Sequence, residues 1–212
     1  MRIGILGAGS LGTAIGTRLA THGHDIMVGF SKTSEGVTNA ATAIGGGARP
    51  GAPDEVAAHG EVVLLATPWT VTLDLVADLR SVLSGKILWD TTNPLAPGFG
   101  ELLIGTTTSA GEEVAKAAPQ AVVVKAIAPF AEQLRGQSTI IAGRKPSCFV
   151  CGDNAEARRT IVSLINNIGA DPVDAGPLQL ARFNEPAGML LVNLAFVQGY
   201  GPGIGTALLR ER

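Results

Sequence analysis

Short apolar segments alternate with segments of helical periodicity over the first 130 residues. The apolar segments have the length of strands, and their continuous apolar character is typical of parallel strands that are buried on both faces. Apolar positions with helical spacing lie between them, at Leu11–Ala20, Thr70–Leu83 and Ser109–Ala117. Helices that cross between parallel strands predict an α/β fold with a Rossmann-type doubly wound parallel sheet. The predicted strands are Arg2–Leu6, Asp25–Phe30, Glu61–Ala66, Lys86–Asp90 and Ala121–Ile127.

The pattern changes beyond residue 143. Ser147–Cys151 predicts a strand, a capped helix follows it, and a long apolar helix is predicted at Leu178–Val197. Pro186 lies near the middle of that last helix and is expected to kink or break it. We therefore predict two domains, a Rossmann domain in residues 1–143 and a small, mostly helical C-terminal domain in residues 144–212.

The last predicted helix is apolar over more than one face. Met189–Val197 carries a single polar residue, Asn193, so its apolar surface is wider than one buried stripe. We expect this helix to pack inside the C-terminal domain and also against a second subunit, which makes the protein a homodimer. A single, fully buried helix is the alternative interpretation.

The stretch after the first strand holds glycines at the spacing G-x-G-x-x-G. Gly7, Gly9 and Gly12 stand in a strand–turn–helix context, with Ser10 and Leu11 at the start of the helix. In such a turn the first glycine permits the tight bend, the second lets the backbone approach a pyrophosphate, and the third lets helix and strand pack closely. The free N–H groups of the helix N-terminus then favour an anion. This predicts a dinucleotide-binding site, with a merely structural glycine turn as the alternative.

The tip of the second strand indicates which dinucleotide. An NAD site usually places a carboxylate there to bind the ribose hydroxyls. Here the strand ends at Phe30 and continues into Ser31 and Lys32, while Asp25 lies at the wrong end of the strand. A hydroxyl and an ammonium suit a 2′-phosphate, so we predict NADP rather than NAD. An ordinary solvated turn at Ser31 and Lys32 is the alternative.

Composition restricts the class of protein further. The 212 residues are 46% apolar, which allows a substantial core, and the net charge of −2 comes without the basic stripe that a nucleic-acid partner requires. We expect no signal peptide and no membrane span, and hence a cytoplasmic protein. Cys148 and Cys151 fall in a strand and point to opposite faces, so neither a redox pair nor a metal site is predicted.

The carboxyl ends of the predicted parallel strands are expected to converge on one crevice, because ligands bind there in open α/β sheets. No catalytic acid stands out in these loops, so we assign no catalytic residue, and this favours hydride transfer between two cofactors. Lys125 is predicted to extend to the surface from its strand, and Glu185 could face the cleft, the solvent or a second subunit. Beyond the glycine turn and Phe30–Lys32, the cofactor-binding candidates are Ala66, Thr67, Pro68, Trp69, Asn93, Ala128, Pro129, Phe130 and Ala131.

Several stretches together resemble a known family. The chain is similar to the deazaflavin-dependent NADP reductases, the coenzyme F-420:NADP oxidoreductase group and its small bacterial dinucleotide-binding relatives. The stretches that carry the resemblance are Gly7–Gly12, His22–Gly29, Thr67–Trp69, Thr92–Pro94, Val123–Ala126, Cys151–Asp153 and Asp174–Leu178 with Arg182.

The resemblance implies a Rossmann domain with a small C-terminal domain over the nicotinamide end of NADP. It implies that Ser31 and Lys32 hold the 2′-phosphate, that Thr67–Trp69 line the nicotinamide ribose, and that Phe30 and the loop 128–132 border the adenine and nicotinamide ends. It also implies coenzyme F-420, a deazaflavin, as the second cofactor, lying against the nicotinamide.

Ala128 and Pro129 depart from the family, whose members usually carry a polar residue and a hydroxyl there. Another flavin, or a small carbonyl or imine compound, therefore stays open as the second substrate. A sensor or regulatory module that binds NADP(H) without turnover is the alternative from a different functional class.

Overall fold

A computed structural model describes residues 1–211, and their eight strands form one sheet in the order β3-β2-β1-β4-β5-β6-β7-β8. Neighbouring strands from β3 through β6 pair in parallel, β7 runs antiparallel to β6, and β8 is parallel to β7. The predicted doubly wound parallel sheet is thus confirmed, with one antiparallel junction. The strands are β1 (Arg2–Leu6), β2 (Asp25–Gly29), β3 (Arg49–Pro50), β4 (Val62–Leu65), β5 (Ile87–Asp90), β6 (Val122–Lys125), β7 (Ser147–Gly152) and β8 (Asp171–Gly176).

Helices cover both faces of the sheet, and successive strand residues feed two separate cores. Ile5 and Leu64 belong to the core on one face, whereas the adjacent Leu6 and Leu65 belong to the core on the other. This alternation is the reason that the central strands are apolar at most positions. The helices are α1 (Ser10–Thr21), α2 (Ser34–Ile44), α3 (Pro53–His59), α4 (Trp69–Asp78), α5 (Ala110–Ala117), α6 (Ala131–Arg135), α7 (Ala155–Asn167) and α8 (Ala181–Phe196), with short 3-10 helices at Pro97–Phe99 and Leu178–Leu180.

Helices α2 and α6 and strand β3 were not predicted from the sequence. Helix α2 is rich in Ala, Thr and Ser rather than strong apolar residues, and it is identified by its cap, where the Thr33 hydroxyl accepts from Gly36 N at 3.1 Å. Strand β3 holds only two residues and helix α6 only five. Elements this short give no periodicity to detect.

Helix α8 does not break at Pro186, so the expected break is absent, and a kink there stays a prediction. The helix continues from Ala181 through Phe196. Pro186 is its sixth residue, and its missing N–H removes one intrahelical hydrogen bond, the one to the carbonyl of Arg182. Packing of the buried Ala181 and Glu185 against the sheet side of the fold keeps the segment helical despite this loss.

The C-terminal region extends the same sheet. Strands β7 and β8 continue beside β6, and helix α7 packs on them, so the sheet shows no break at the predicted boundary near residue 143. The two-domain division stays a prediction. After α8 the chain returns to the start of β7, where Ser147 N donates to Thr206 O at 2.7 Å. Within residues 1–211, no helix is long and apolar enough to cross a membrane.

Candidate functional site

The glycine turn has the geometry that the motif predicts. Gly7 has a φ of +126°, and a Cβ at this position would lie 2.3 Å from the carbonyl oxygen of Ala66. A Cβ at Gly12 would lie 2.0 Å from the carbonyl oxygen of Gly7, whereas a Cβ at Gly9 would meet no atom within 4 Å. Two of the glycines are therefore required by the packing of the protein itself. Gly9, in contrast, leaves open space in front of the backbone, where an external group can approach.

Helix α1 begins at this turn, and its N-terminus carries no side-chain cap. The turn is fixed to the tip of β2 by two backbone hydrogen bonds, from Gly7 N to Gly29 O at 2.9 Å and from Ala8 N to Phe30 O at 3.0 Å. Phe30 has a φ of +64°, a conformation that non-glycine residues rarely adopt. The uncapped N–H groups and the rigid turn together form a site suited to an anion.

Ser31 and Lys32 lie exposed just beyond β2, beside the N-terminus of α2. A Cβ at Gly36 would lie 2.5 Å from Ser31 Oγ, so the serine hydroxyl approaches the first turn of α2 closely. Lys32 takes part in no ion pair within the described residues. Asp25, at the opposite end of β2, pairs instead with Arg49 at 3.1 Å. A free cation, a hydroxyl and a helix N-terminus therefore meet at the tip of β2.

A cavity of about 610 Å³ lies at the carboxyl ends of β1, β4, β5 and β6. Four of the five loops that were predicted to converge line this cavity. The tip of β2 does not line it and is linked to it through the glycine turn. The predicted cofactor-binding residues that line the cavity are Ser10, Leu11, Ala66, Thr67, Pro68, Trp69, Asn93, Ala128, Pro129, Phe130 and Ala131.

One wall of the cavity, called the aromatic wall below, is apolar and was not identified from the sequence. Phe99 comes from the loop after β5 and Phe149 from β7. Leu191 and Phe196 come from α8. The ring of Phe196 meets that of Phe130 edge-on at 5.4 Å between centroids. These residues are far apart in sequence, so only the tertiary fold brings them together. The wall offers apolar surface and ring edges to a planar partner.

Arg135 was also missed, because its helix α6 was not predicted. Its guanidinium donates to the Ser10 carbonyl oxygen at 3.2 Å and to the Ser10 hydroxyl. Arg18 holds the end of α6 in place by donating to the carbonyl oxygens of Leu134 and Gly136, each at 2.7 Å. Arg135 has no carboxylate partner within residues 1–211. A second cation therefore stands beside the first turn of α1.

Lys125 does not extend to the surface, so that prediction was wrong. The side chain is fully buried, and its Nζ lies 3.0 Å from Asp90 Oδ2 and 3.0 Å from Glu185 Oε1. Nζ also donates to the carbonyl oxygen of Thr92. Burial alone would lower the pKa of Lys125, but the two carboxylates outweigh it and raise that pKa. Lys125 is therefore a buried cation that ties β6 to β5 and α8.

Glu185 faces neither the cleft, the solvent nor a second subunit, so none of the three expected placements was correct. Its carboxylate is buried and accepts from the backbone N–H groups of Ala110 at 2.8 Å and Gly111 at 3.0 Å. These N–H groups form the first turn of α5, whose partial positive charge favours a carboxylate. The backbone oxygen of Glu185 accepts from Asn93 Nδ2 at 3.2 Å. Glu185 thus joins α8 to α5 and to the cavity wall.

The two cysteines lie in strand β7, as predicted. Both are buried, and burial raises the pKa of Cys148 to about 12 and that of Cys151 to about 11. Both thiols are therefore neutral at physiological pH. In the part of the chain that the structure describes, no group of His, Cys, Asp and Glu could hold a metal ion.

Comparisons with known proteins show which proteins this chain is similar to. The family model described as "NADP oxidoreductase coenzyme F420-dependent" matches residues 2–94. An F420-dependent NADP reductase from Methanocaldococcus jannaschii is 29% identical over 147 residues, which cover 66% of this chain and 64% of the relative. The metalloreductase STEAP3 of Rattus norvegicus is 28% identical over 181 residues, which cover 85% of this chain and 35% of the relative. The chain therefore spans less than two thirds of the length of either curated relative.

Solved structures support the same relationship. A crystal structure of a candidate F420-dependent NADP reductase from Arthrobacter sp. matches with a TM-score of 0.86 and 27% identity, covering 98% of this chain and 99% of that one. The imine reductase of Streptomyces aurantiacus matches with a TM-score of 0.66 and 14% identity, covering 93% of this chain and 64% of that one, and shares the fold. The resemblance predicted from the sequence motifs is confirmed.

Proposed function

We propose that this relative of the coenzyme F420-dependent NADP oxidoreductases is an enzyme that binds NADP(H) and transfers hydride between its nicotinamide and a second ring, a deazaflavin or flavin-like acceptor. The observation that carries this proposal is the glycine turn. A Cβ at Gly9 would meet no protein atom, while Gly7 and Gly12 are held by the fold itself. The open space at Gly9 fits a pyrophosphate lying against the N-terminus of α1.

The tip of β2 selects NADP over NAD. The Ser31 hydroxyl, the unpaired Lys32 and the N-terminus of α2 offer three favourable partners to a 2′-phosphate. The strand tip holds no carboxylate to repel it. Charge-assisted hydrogen bonds of this kind are about twice as strong as neutral ones, so they suffice to discriminate two cofactors that differ by one phosphate.

The nicotinamide end of the dinucleotide lies in the 610 Å³ cavity in this proposal. Thr67–Trp69 border the nicotinamide ribose, and the loop from Ala128 to Ala131 borders the ring. The bound NADP(H) supplies the hydride chemistry, whereas the protein supplies orientation and a cavity with few polar groups. Apolar walls and a closely packed second ring exclude water, and close, aligned placement of the two reacting carbons is the main requirement for transfer.

The aromatic wall supports a planar ring as the second substrate. Phe99, Phe130 and Phe196 all line the cavity, and the ring centroids of Phe99 and Phe130 lie 5.9 Å and 5.4 Å from that of Phe196. Residues 144–212 act in this proposal as the small C-terminal domain over the nicotinamide, with α8 as its wall. Both the M. jannaschii relative and the Arthrobacter structure are named for F420-dependent reduction, which favours a deazaflavin over other acceptors.

Rapid mixing distinguishes this function from its alternatives. The protein and NADPH are mixed with one acceptor at a time, and oxidation of NADPH is followed as the loss of its absorbance. The acceptors are the oxidised deazaflavin, a flavin, and a set of small cyclic imines and carbonyl compounds. We expect oxidation of NADPH by the deazaflavin or flavin. Oxidation by imines or carbonyls alone would identify a small-substrate reductase, and tight NADPH binding with no oxidation by any acceptor would identify a sensor module.

We further propose that the protein is a homodimer joined through α8. Phe183, Leu190 and Val197 are 71%, 60% and 51% exposed, and they follow one another at intervals of seven residues. That interval places Phe183 and Leu190 on one stripe of α8, which Val197 continues at the C-cap, as in helix pairs that bury such a stripe against an identical copy. Light scattering tests this, with Leu190→Glu expected to convert the dimer to a monomer and Arg159→Ala, on the exposed face of α7, expected to leave it unchanged. A wild-type monomer at micromolar concentration would contradict the proposal.

A further inference from the structure

Asn93 carries a buried acceptor without a donor. The residue follows β5 and lines the cavity, and its Nδ2 donates to the backbone oxygen of Glu185 at 3.2 Å. Its Oδ1 is buried and has no hydrogen-bond partner within residues 1–211. Buried side-chain oxygens are nearly always paired in native proteins, so an orphaned one indicates a partner from outside the chain.

The orientation of this amide is fixed by its neighbours. A backbone carbonyl can only accept, so the atom that faces Glu185 O has to be the amide nitrogen, and the oxygen has to be the unpaired atom. Glu185 is itself held by Lys125 at 3.0 Å and by two backbone N–H groups of α5. Thr92, the preceding residue, donates to Asp90 through its backbone N–H at 2.8 Å and its hydroxyl at 2.7 Å. Asn93 therefore presents an acceptor in a preset position.

Helix α8 packs closely on Asn93 at Gly188, so that a side chain there would press on the Asn93 amide. A Cβ at this glycine would lie 3.1 Å from Asn93 Nδ2 and 2.9 Å from Ile127 Cδ1. All three residues line the cavity. The close packing restricts rotation of the Asn93 amide. A substitution at Gly188 would therefore displace this amide without changing Asn93 itself.

We propose that Asn93 Oδ1 accepts a hydrogen bond from the carboxamide N–H of the nicotinamide, an inference that rests on the proposed binding of NADP(H). The carboxamide is the N–H donor that this dinucleotide brings to the nicotinamide end, and the orphaned oxygen belongs to a residue of the same cavity. A hydrogen bond to the carboxamide fixes the rotation of the ring about its bond to the ribose. Asn93 thus determines which face of the ring is turned toward the aromatic wall.

Binding measurements on two dinucleotides test this directly. In 3-acetylpyridine adenine dinucleotide phosphate, a methyl ketone replaces the carboxamide, so the N–H donor is lost while the pyrophosphate and the 2′-phosphate are kept. Calorimetric titration of the wild-type protein is expected to show about fivefold to tenfold tighter binding of NADP⁺ than of this analogue. Asn93→Ala is expected to remove that preference. The control Asn184→Ala, an asparagine on the same cavity whose Nδ2 bonds Phe149 O, is expected to retain it.

Each outcome separates this inference from the proposed function. If the wild-type protein binds neither dinucleotide, NADP binding itself is refuted. If it binds both but Asn93→Ala keeps the wild-type preference, or if the wild type shows no preference, the role of Asn93 is refuted. Should Asn93→Ala fail to fold, Gly188→Ala takes its place: a reduced preference supports the role of Asn93, and an unchanged one overturns it.

Discussion

The ammonium group of Lys125 lies 3.0 Å from the carboxylate of Glu185, and both side chains are buried. The carboxylate of Asp90 also lies 3.0 Å from the ammonium. Because these residues come from β6, α8 and β5, one cation joins the centre of the sheet to the helix that forms the cavity wall. The pair therefore determines where α8 lies relative to the loop that carries Asn93.

Replacement of Lys125 by Met should destabilise the protein strongly. Lys125→Met leaves the Asp90 and Glu185 carboxylates buried and close together without a cation, and breaking a buried pair in this way costs about 3–5 kcal/mol. The free energy of unfolding from urea titration at neutral pH measures the effect. The combined variant Asp90→Asn, Lys125→Met, Glu185→Gln removes all three charges and should recover part of the loss. A single variant as stable as wild type would show that the buried charges are not coupled.

The Lys125 cluster also shows what the sequence could and could not predict. The sheet was predictable because the central strands are mostly apolar, and the glycine turn was predictable because its spacing is local. The burial of Lys125 was not predictable, because a lysine in a strand is normally exposed and nothing local marks its partners. Asp90 and Glu185 stand 35 and 60 positions away in the sequence. Helix α2 was missed although its signal is local, because the only sequence feature that marks it is the capping residue Thr33. Non-local pairing and short elements are thus the parts that required the structure.

Substitutions at two glycines of the turn should separate cofactor binding from folding. A Cβ at Gly9 meets no protein atom, so Gly9→Ala is expected to leave the melting temperature near that of wild type. The same variant should weaken NADPH binding by about tenfold or more, because the added methyl group occupies the space of the pyrophosphate. A Cβ at Gly12 would lie 2.0 Å from Gly7 O, so Gly12→Ala should lower the melting temperature. Calorimetric melting and fluorescence titration measure the two effects. A Gly9→Ala protein with unchanged NADPH affinity would contradict the placement of the pyrophosphate.

The choice of NADP over NAD should depend on Lys32. Lys32→Ala removes the unpaired cation at the tip of β2, and we expect NADPH binding to weaken about fivefold to tenfold, in line with one exposed charge-assisted contact. NADH has no 2′-phosphate and serves as the internal control, so its affinity should not change. Titration with both nucleotides gives the answer. Equal losses for the two would exclude a contact between Lys32 and the 2′-phosphate.

The two buried thiols should make the protein less stable at alkaline pH. Cys148 and Cys151 keep their protons in the folded state up to about pH 12 and 11, whereas unfolded thiols ionise from about pH 9. The unfolded state therefore binds fewer protons between pH 9 and 11, and the free energy of unfolding falls as pH rises, by up to about 1.4 kcal/mol per pH unit for each thiol. Well below pH 9 the thiols are protonated in both states, and their contribution to the slope vanishes. Urea titrations at several pH values should show a shallower decline for Cys148→Ala with Cys151→Ala than for wild type, and identical slopes would argue against neutral buried thiols.

Arg135 should affect both nucleotides alike. Its guanidinium bonds to Ser10 at the first turn of α1 and has no carboxylate partner in residues 1–211, so it lies where a pyrophosphate would bind the helix N-terminus. The pyrophosphate is common to NADPH and NADH, and Arg135→Ala should therefore weaken both by a similar factor, about fivefold for an exposed contact of this kind. Arg159→Ala, an exposed arginine on α7, provides the charge-matched control and should change neither affinity. A loss confined to NADPH would instead place Arg135 at the 2′-phosphate, and its effect would then add to that of Lys32.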